Sequence, residues 1–356
     1  MIPILADASL PDLQNVFPAP FCLSFYQNAE QIPSLLPGKA ILLCRSTLKV
    51  DAALLGQHTL DYVATASSGT DHLDEAFLAS RGITLVDAKG CNAPAVADYV
   101  MASLAWLELN HSLPGGRQAG LIGCGEVGLR VADRLQAVQW EVRHYDPPRA
   151  ERDPAFRSCS LDELAACDLI CVHANLHDAP PYPSRNSLNA DFLSQLKPGT
   201  VIINASRGGI VNEEDLLTFP HLRYCTDVYL NEPAVNAAIL SKALLCTPHI
   251  AGHSIEAKQR AVTLLSDKLH EYYGLKPLHH PSPARQALPV PADLDSWPSL
   301  LLSLYNPAVE TNAMKEAGDK QRAFLTLRQA HTFRHDFSTC GGALSNRFLK
   351  TLLGAN

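Results

Sequence analysis

Three stretches late in the chain each present a side chain suited to taking a proton from a carbinol while hydride leaves the same carbon. Asn204-Ala205-Ser206-Arg207-Gly208 offers a guanidinium, and Asp227-Val228-Tyr229-Leu230-Asn231-Glu232-Pro233 offers two carboxylates. Thr247-Pro248-His249-Ile250-Ala251-Gly252-His253 offers an imidazole. Histidine is the side chain whose ordinary pKa lies nearest neutrality, so His249 is the candidate base, a role worth about 10²–10⁴-fold in rate. Glu232 can hold the other ring nitrogen and stabilise the imidazolium, as a buried acid does in a triad. Arg207 presents a planar fork suited to a carboxylate and a neighbouring oxygen. Each alone has a plainer reading: a loop histidine, a solvated arginine, a turn acid before proline. Three of them, each closing a strand, favour chemistry.

Hydride needs an acceptor, and an earlier stretch has the parts of a site for one. A short apolar run, Ala119 to Ile122, leads into Gly123-Cys124-Gly125-Glu126-Val127-Gly128, the GxGxxG spacing. Val127, Val131, Leu135 and Val138 then recur every three or four residues, the mark of a helix with one buried face. Trp140 to Tyr145 reads as a second strand and ends at Asp146. Gly123 permits a tight turn, Gly125 lets backbone approach a pyrophosphate, and Gly128 lets helix and strand pack closely. The helix start at Glu126 and Val127 offers unpaired N–H groups to phosphate, and Asp146 can accept from ribose hydroxyls. An acid at this point favours NAD over NADP.

The elements that must carry these groups form an ordinary globular chain. Its 356 residues allow two or three domains, at 47% hydrophobic and 18% charged. A net charge of −7 argues against general nucleic-acid affinity. Ten cysteines run from Cys22 to Cys340 with no CxxC pair, and several sit inside apolar runs. A reduced cytosolic protein without metal or disulfides is therefore expected. The start, Met1 to Asp7, reads as a first strand and not a signal peptide, and no segment approaches membrane-span length.

Short strands alternate with helical segments throughout. Ala40–Cys44, Tyr62–Ala66 and Ile83–Val86 come first, and polar loops follow the first two of them, Arg45-Ser46-Thr47 and Ser67-Ser68-Gly69-Thr70-Asp71-His72. A helix starts near Asn92 and Pro94. Strands at 169–173, 201–205, 224–228 and 244–247 follow, with a capping box at Ser160–Glu163. The alternation predicts two doubly wound parallel sheets. Ser254 to Tyr273 reads as a long helix stopped by Gly274. Prolines at 277, 281, 283, 289, 291 and 298 predict an extended linker over 275–298. Beyond it, 299–305 and 321–337 look like short elements too few for an independent core, so the tail must dock on its own body or on a partner.

The set GxGxxG, N-A-S-R-G, D-V-x-x-x-E-P and T-P-H-I-A-G resembles the NAD-dependent D-2-hydroxyacid dehydrogenases over residues 40 to 275. The stretches Arg45–Val50, Ser68–Asp74, Gly90–Ala93, Asp146–Arg149, Tyr305–Pro307, Phe324–Arg328 and Arg334–Phe337 are similar to the branch that oxidises 4-phosphoerythronate on the way to pyridoxal 5′-phosphate. The resemblance implies Rossmann- and flavodoxin-like sheets. Residues 1–93, completed by 251–285, would bind substrate; 94–250 would bind NAD; and 286–356 would be a small α+β domain that makes a homodimer. It implies catalysis by Arg207, Glu232 and His249. Cofactor contacts would come from Gly123, Gly125, Glu126, Val127, Gly128, Asp146, Ala174, Asp227 and Gly252, with Asp227 facing the nicotinamide amide. Substrate contacts would come from Arg45, Ser46, Ser67, Ser68, Gly69 and His253. The chain departs from the pattern at His253, where tyrosine is usual, at Ser67 for threonine and at Asn175 for proline; His253 then replaces a phenol as a phosphate-side donor. Other readings are a sibling enzyme acting on 3-phosphoglycerate, or an NAD-sensing binding protein like some corepressors. The small-molecule partner is a phosphorylated 2-hydroxy acid, with no nucleic acid or membrane.

Overall fold

A computed structural model describes residues 1–281, 284, 297–341 and 346–355. The chain divides into two compact units, Met1–Asn92 with Ser254–Pro283, and Ala93–His253 with Ala284–Asn356.

The first unit is built on five strands, β1 (Ile2–Asp7), β2 (Phe21–Tyr26), β3 (Ile41–Cys44), β4 (Tyr62–Thr65) and β5 (Thr84–Asp87). They are all parallel, in the order β2-β1-β3-β4-β5, the flavodoxin-like arrangement. Both faces are covered, so the strands are apolar throughout. Ile4, Ala6, Ile41, Leu43, Ala64 and Val86 point to one side, while Leu5, Leu42, Cys44 and Val63 point to the other. The strand β2 escapes the sequence reading because it is an edge strand with Cys22 and Phe25 exposed, which blurs its alternation. The helix Ile255–Tyr272 returns to this unit, placing Ala261, Val262, Leu265 and Leu269 against the first side. Ser254 caps it by accepting from the Ala257 N–H, and Gly274 ends it at φ +63°, a left-handed stop that favours glycine.

The second unit carries β6 (Gln118–Ile122), β7 (Glu141–Tyr145), β8 (Leu169–Val172), β9 (Val201–Asn204), β10 (Arg223–Thr226) and β11 (Leu245–Cys246). These are also parallel, ordered β11-β10-β9-β8-β6-β7. Ala119, Leu121, Leu169, Cys171, Val201, Ile203 and Cys225 face the helices Ala93–Leu109 and Glu126–Ala137. Ile122, Ile170, Val172, Ile202, Tyr224 and Cys246 form the opposite face. The order doubles back at β6, whose neighbours are β7 and β8. That is the switch point where open α/β sheets bind ligands.

The tail differs from expectation in two respects. In place of an α+β domain, its described residues form the helices Trp297–Leu304, Ala308–Glu316, Lys320–Ala330 and Arg347–Leu353 and a 3₁₀ turn, with no strand among them. Nor does it form a third compact unit. Leu300, Leu301, Phe337, Leu349, Leu352 and Leu353 enter the core on one face of the second sheet, and Met314 and Phe324 enter the core on the other. A segment with so few apolar residues is stable when it shares a larger core. Its threonine, Thr311, accepts from the Cys246 N–H at 2.9 Å and so occupies a donor of the edge strand β11. A buried ion pair ties it down as well: Arg134 meets Asp98 at 2.5 Å, and Asp98 also accepts from the Phe337 N–H at 2.8 Å. Burial pushes the Asp98 carboxyl up to about 6 against the pull of Arg134. Of the expected linker, 282–283 and 285–296 lie outside the described residues. Pro298 is not in it, since it occupies the first turn of a helix, where its missing N–H costs nothing.

Candidate active site

The three reactive loops leave the carboxyl ends of adjacent strands. Register pairs Asn204 with Thr226 and Thr226 with Cys246, so β9, β10 and β11 end level. The ladder runs one step further, with Asp227 N–H donating to Asn204 O and Thr247 N–H to Thr226 O, both at 3.0 Å. Gly208 lies so close to the next loop that a Cβ there would sit 1.9 Å from Tyr229 O. The Arg207 turn is thereby pressed against the backbone of Tyr229 and Leu230. Asn204 fixes that turn by donating to Arg207 O at 3.0 Å, and Arg207 is half-buried.

Tyr229 is also the anchor of the acid. Its N–H donates to Glu232 Oε1 at 2.9 Å, and Glu232 Oε2 lies 2.6 Å from His249 Nδ1. Burial alone would raise the Glu232 carboxyl. The hydrogen bond and charge of His249, the Tyr229 N–H and the Arg328 charge outweigh it and leave Glu232 below its ordinary value. An ionised carboxylate can only accept, so the proton of that pair sits on Nδ1 and the Nε2 lone pair is left to act as a base.

His249 itself adopts φ +56°, in the left-handed region that non-glycine residues rarely occupy. The surrounding contacts hold it there. Asp227, fully buried, accepts from the Ile250 and Ala251 N–H groups at 2.8 Å each and from the Thr247 hydroxyl at 2.6 Å. Thr247 in turn meets the Tyr99 hydroxyl at 2.8 Å, and its carbonyl accepts from the Tyr229 hydroxyl at 3.0 Å. Burial raises the Asp227 carboxyl despite these donors and the charge of His249. Expected to face a nicotinamide, Asp227 is here the strut of the histidine loop.

The glycine turn follows β6 on the same edge of the same sheet. Gly123 has φ +87°, and a Cβ on it would lie 2.5 Å from Ala174 N, so the turn nests against the chain leaving β8. A Cβ on Gly128 would lie 2.2 Å from Gly123 O, while around Gly125 there is open space. Gly125 is the N-cap of Glu126–Ala137 and supplies no side-chain acceptor, so the first N–H groups at Glu126 and Val127 remain available for phosphate. Asp146, at the end of β7, accepts from the Cys124 N–H at 2.8 Å and from the Arg149 N–H at 3.0 Å. Its carboxylate therefore braces the glycine turn and places negative charge at the end of β7. His173, at the end of β8, keeps both ring nitrogens away from solvent without a protein partner, and burial depresses its pKa to about 3. An open glycine edge, free helix donors and an orphaned imidazole fit a dinucleotide.

The residues expected on the substrate side, and Gly252, expected at the cofactor, divide between the units. In the first, Arg45 follows β3 and pairs with Asp7 at 2.8 Å, and Asp7 also accepts from the Ser9 hydroxyl and N–H. Ser46 is exposed beside it. Ser67, Ser68 and Gly69 follow β4, and Ser68 accepts from the Gly90 N–H at 3.1 Å. In the second, Gly252 and His253 are half-buried, with the His253 N–H donating to Ile250 O at 2.9 Å. Sequence reading missed Tyr99, Arg328 and Arg334. The two arginines address backbone carbonyls of the histidine loop, and such a partnership leaves no trace in side-chain types.

Comparison with known proteins gives the family. The family described as D-isomer specific 2-hydroxyacid dehydrogenase, NAD binding domain, matches residues 95–251. A protein of Legionella pneumophila (strain Philadelphia 1) named erythronate-4-phosphate dehydrogenase is 55% identical over 338 residues, covering 94% of this chain and 95% of its own. The chain belongs to the erythronate-4-phosphate dehydrogenase family. A Coxiella burnetii (strain RSA 493) relative of that name is 36% identical over 345 residues, 95% of this chain and 94% of its own. Among solved structures, an NAD-bound 3-phosphoglycerate dehydrogenase of Entamoeba histolytica superposes at TM-score 0.65 with 18% identity, covering 77% of this chain and 95% of that one. A Staphylococcus aureus NAD-dependent formate dehydrogenase does so at 0.61 with 23% identity, covering 77% and 96%. At such identities the likeness is one of fold. The chain is an NAD-dependent dehydrogenase of the D-2-hydroxyacid type.

Because Gly128 packs directly under the Gly123 carbonyl, Gly128→Ala must displace the phosphate turn. A cost of about 1–3 kcal/mol for such overpacking corresponds to NADH binding weakened roughly 5- to 150-fold. Titration of reduced-nicotinamide fluorescence measures it, and unchanged affinity would separate the turn from the cofactor.

Proposed function

We propose that the chain oxidises 4-phospho-D-erythronate at C2 to 2-oxo-3-hydroxy-4-phosphobutanoate, a step toward pyridoxal 5′-phosphate. The observation that carries this reading is the His249–Glu232 pair, oriented with Nε2 free, on a chain 55% identical to a protein of that name. Bound NAD would supply the acceptor for the hydride that leaves C2. His249 Nε2 accepts the C2 hydroxyl proton, and Glu232 stabilises the imidazolium that results. Arg207 binds the C1 carboxylate through its planar fork and polarises the oxygen at C2. The glycine turn, with Gly123, Gly125 and Gly128, the N–H groups of Glu126 and Val127, Asp146, Ala174 and Gly252 hold the dinucleotide. Asp227 acts next to it through the backbone of residues 250 and 251.

Arg45, Ser46, Ser67, Ser68, Gly69 and His253 are assigned to the substrate, with Arg45 and His253 as charged or donor partners of the 4-phosphate. Met1–Asn92 with Ser254–Pro283 is thus the substrate-binding part, and Ala93–His253 the cofactor-binding part. Ten cysteines, eight of them buried, suit the reducing cytoplasm. No helix among the described residues is long and apolar enough to cross a membrane.

The tail is assigned to a homodimer contact, because Val309, Leu325 and Phe333 stand 66%, 52% and 68% exposed on it. Val309→Glu with Phe333→Glu should convert dimer to folded monomer in light scattering after gel filtration. A dimer that persists would place the interface elsewhere. For the reaction, a panel of 4-phosphoerythronate, 3-phosphoglycerate, erythronate and lactate, read at the reduced-nicotinamide absorbance, should show highest kcat/KM with the first. Preference for 3-phosphoglycerate, or no turnover with any, would overturn the assignment.

A further inference from the structure

The peptide between His249 and Ile250 is gripped at both ends. Its N–H donates to the Asp227 carboxylate at 2.8 Å. Its carbonyl, His249 O, accepts from Arg328 Nη1, also at 2.8 Å. Arg328 lies in the last turn of Lys320–Ala330, a tail helix outside residues 95–251 that match the cofactor-binding family. The following peptide places its Ala251 N–H on Asp227 as well, and the one after it offers Ala251 O to Arg334. Arg334 is buried, also reaches Ala95 O at 3.4 Å, and lies over the Tyr305 ring at 4.8 Å. One anion and two cations thus hold three successive peptides of the loop, and the first of these is held at both its N–H and its carbonyl.

That orientation matters because of the backbone at His249. A left-handed residue other than glycine relaxes toward an ordinary conformation unless its neighbours over-determine it. Relaxation would turn the His249 Cα–Cβ direction and carry Nδ1 away from Glu232 Oε2, 2.6 Å distant. Asp227 restrains the N–H edge alone. The carbonyl edge is restrained by Arg328.

We propose that Arg328 is a positioning residue for the reaction: by holding the His249 carbonyl, the tail locks the imidazole in register with Glu232. The tail then contributes to turnover as well as to any assembly, and Arg328 acts through His249 without touching substrate. The proposal rests on His249 being the base.

The test compares Arg328→Ala and Arg328→Lys in the full-length protein. Lysine keeps one charged donor, and a single donor is what His249 O receives. Misplacement of a reacting group by about 1 Å can cost roughly 10²-fold. Arg328→Ala should therefore lose about that factor in kcat, with NADH affinity and substrate KM within about twofold, and Arg328→Lys should recover most of the loss. A second readout does not need turnover. The downfield proton resonance of His249 Nδ1–H, assigned as the one lost in Glu232→Gln, should shift or broaden in Arg328→Ala and return in Arg328→Lys. Unchanged kcat together with an unchanged resonance overturns the proposal. So does a loss confined to KM, or one that lysine fails to restore. If the substrate panel fails while the resonance responds, the substrate assignment falls and the positioning role stands.

Discussion

The hydrogen bond between Glu232 and His249 is the constraint on which the site depends. It decides which imidazole nitrogen carries the proton, and through that which one can act as a base. Holding it demands an ionised acid in a half-buried place, a histidine in left-handed backbone, and three strand ends at one level. Each demand is met locally. The acid is steadied by the Tyr229 N–H and by cationic neighbours, and the histidine loop by Asp227 on one side and arginines on the other. Gly208 lets the Arg207 turn lie against the same Tyr229 backbone. The loops of β9, β10 and β11 therefore form one body.

The cofactor end follows the same logic on the other half of the sheet. The glycines at 123 and 128 are needed where backbone meets backbone, and Gly125 where backbone must face open space. Asp146 shows one acid in two roles, since it braces the Cys124 N–H and also sets a negative charge at the end of β7. A parallel sheet that doubles back at β6 puts this turn and the loops of Arg207, Glu232 and His249 along a single edge.

Much of this was legible in residue types. Continuous burial on both faces makes β3, β4, β6, β8 and β9 legible as apolar runs, and the polar side chains directly after them pointed to the candidate site. Ser254 and Gly274 announced the ends of their helix, and Ser160 with Glu163 formed the capping box that the spacing implied. The edge strand β2 was not legible because two of its six residues are exposed and only two are buried. The helical make-up of the tail was not legible because its apolar residues complete the core of the second unit, to which it belongs, and so lack a pattern of their own. Arg328 was invisible for a different reason. Its partner is a carbonyl, which every residue has, and the chain separates them by 79 positions. The motif marks Asp227 as functional without showing that its carboxylate also supports the histidine loop, through the Thr247 hydroxyl and the Ile250 and Ala251 N–H groups.

The most direct measurement is the pH dependence of kcat and kcat/KM for Glu232→Gln beside the parent protein. Glutamine keeps the shape but lacks the charge, and its amide can donate to Nδ1, which leaves the proton on Nε2. The account predicts a loss of roughly 10²-fold or more in kcat and an acid limb displaced toward lower pH, as an imidazolium without its anion is harder to form. A variant with the parent's rate and profile would contradict it, because the pair would then have no part in moving the proton.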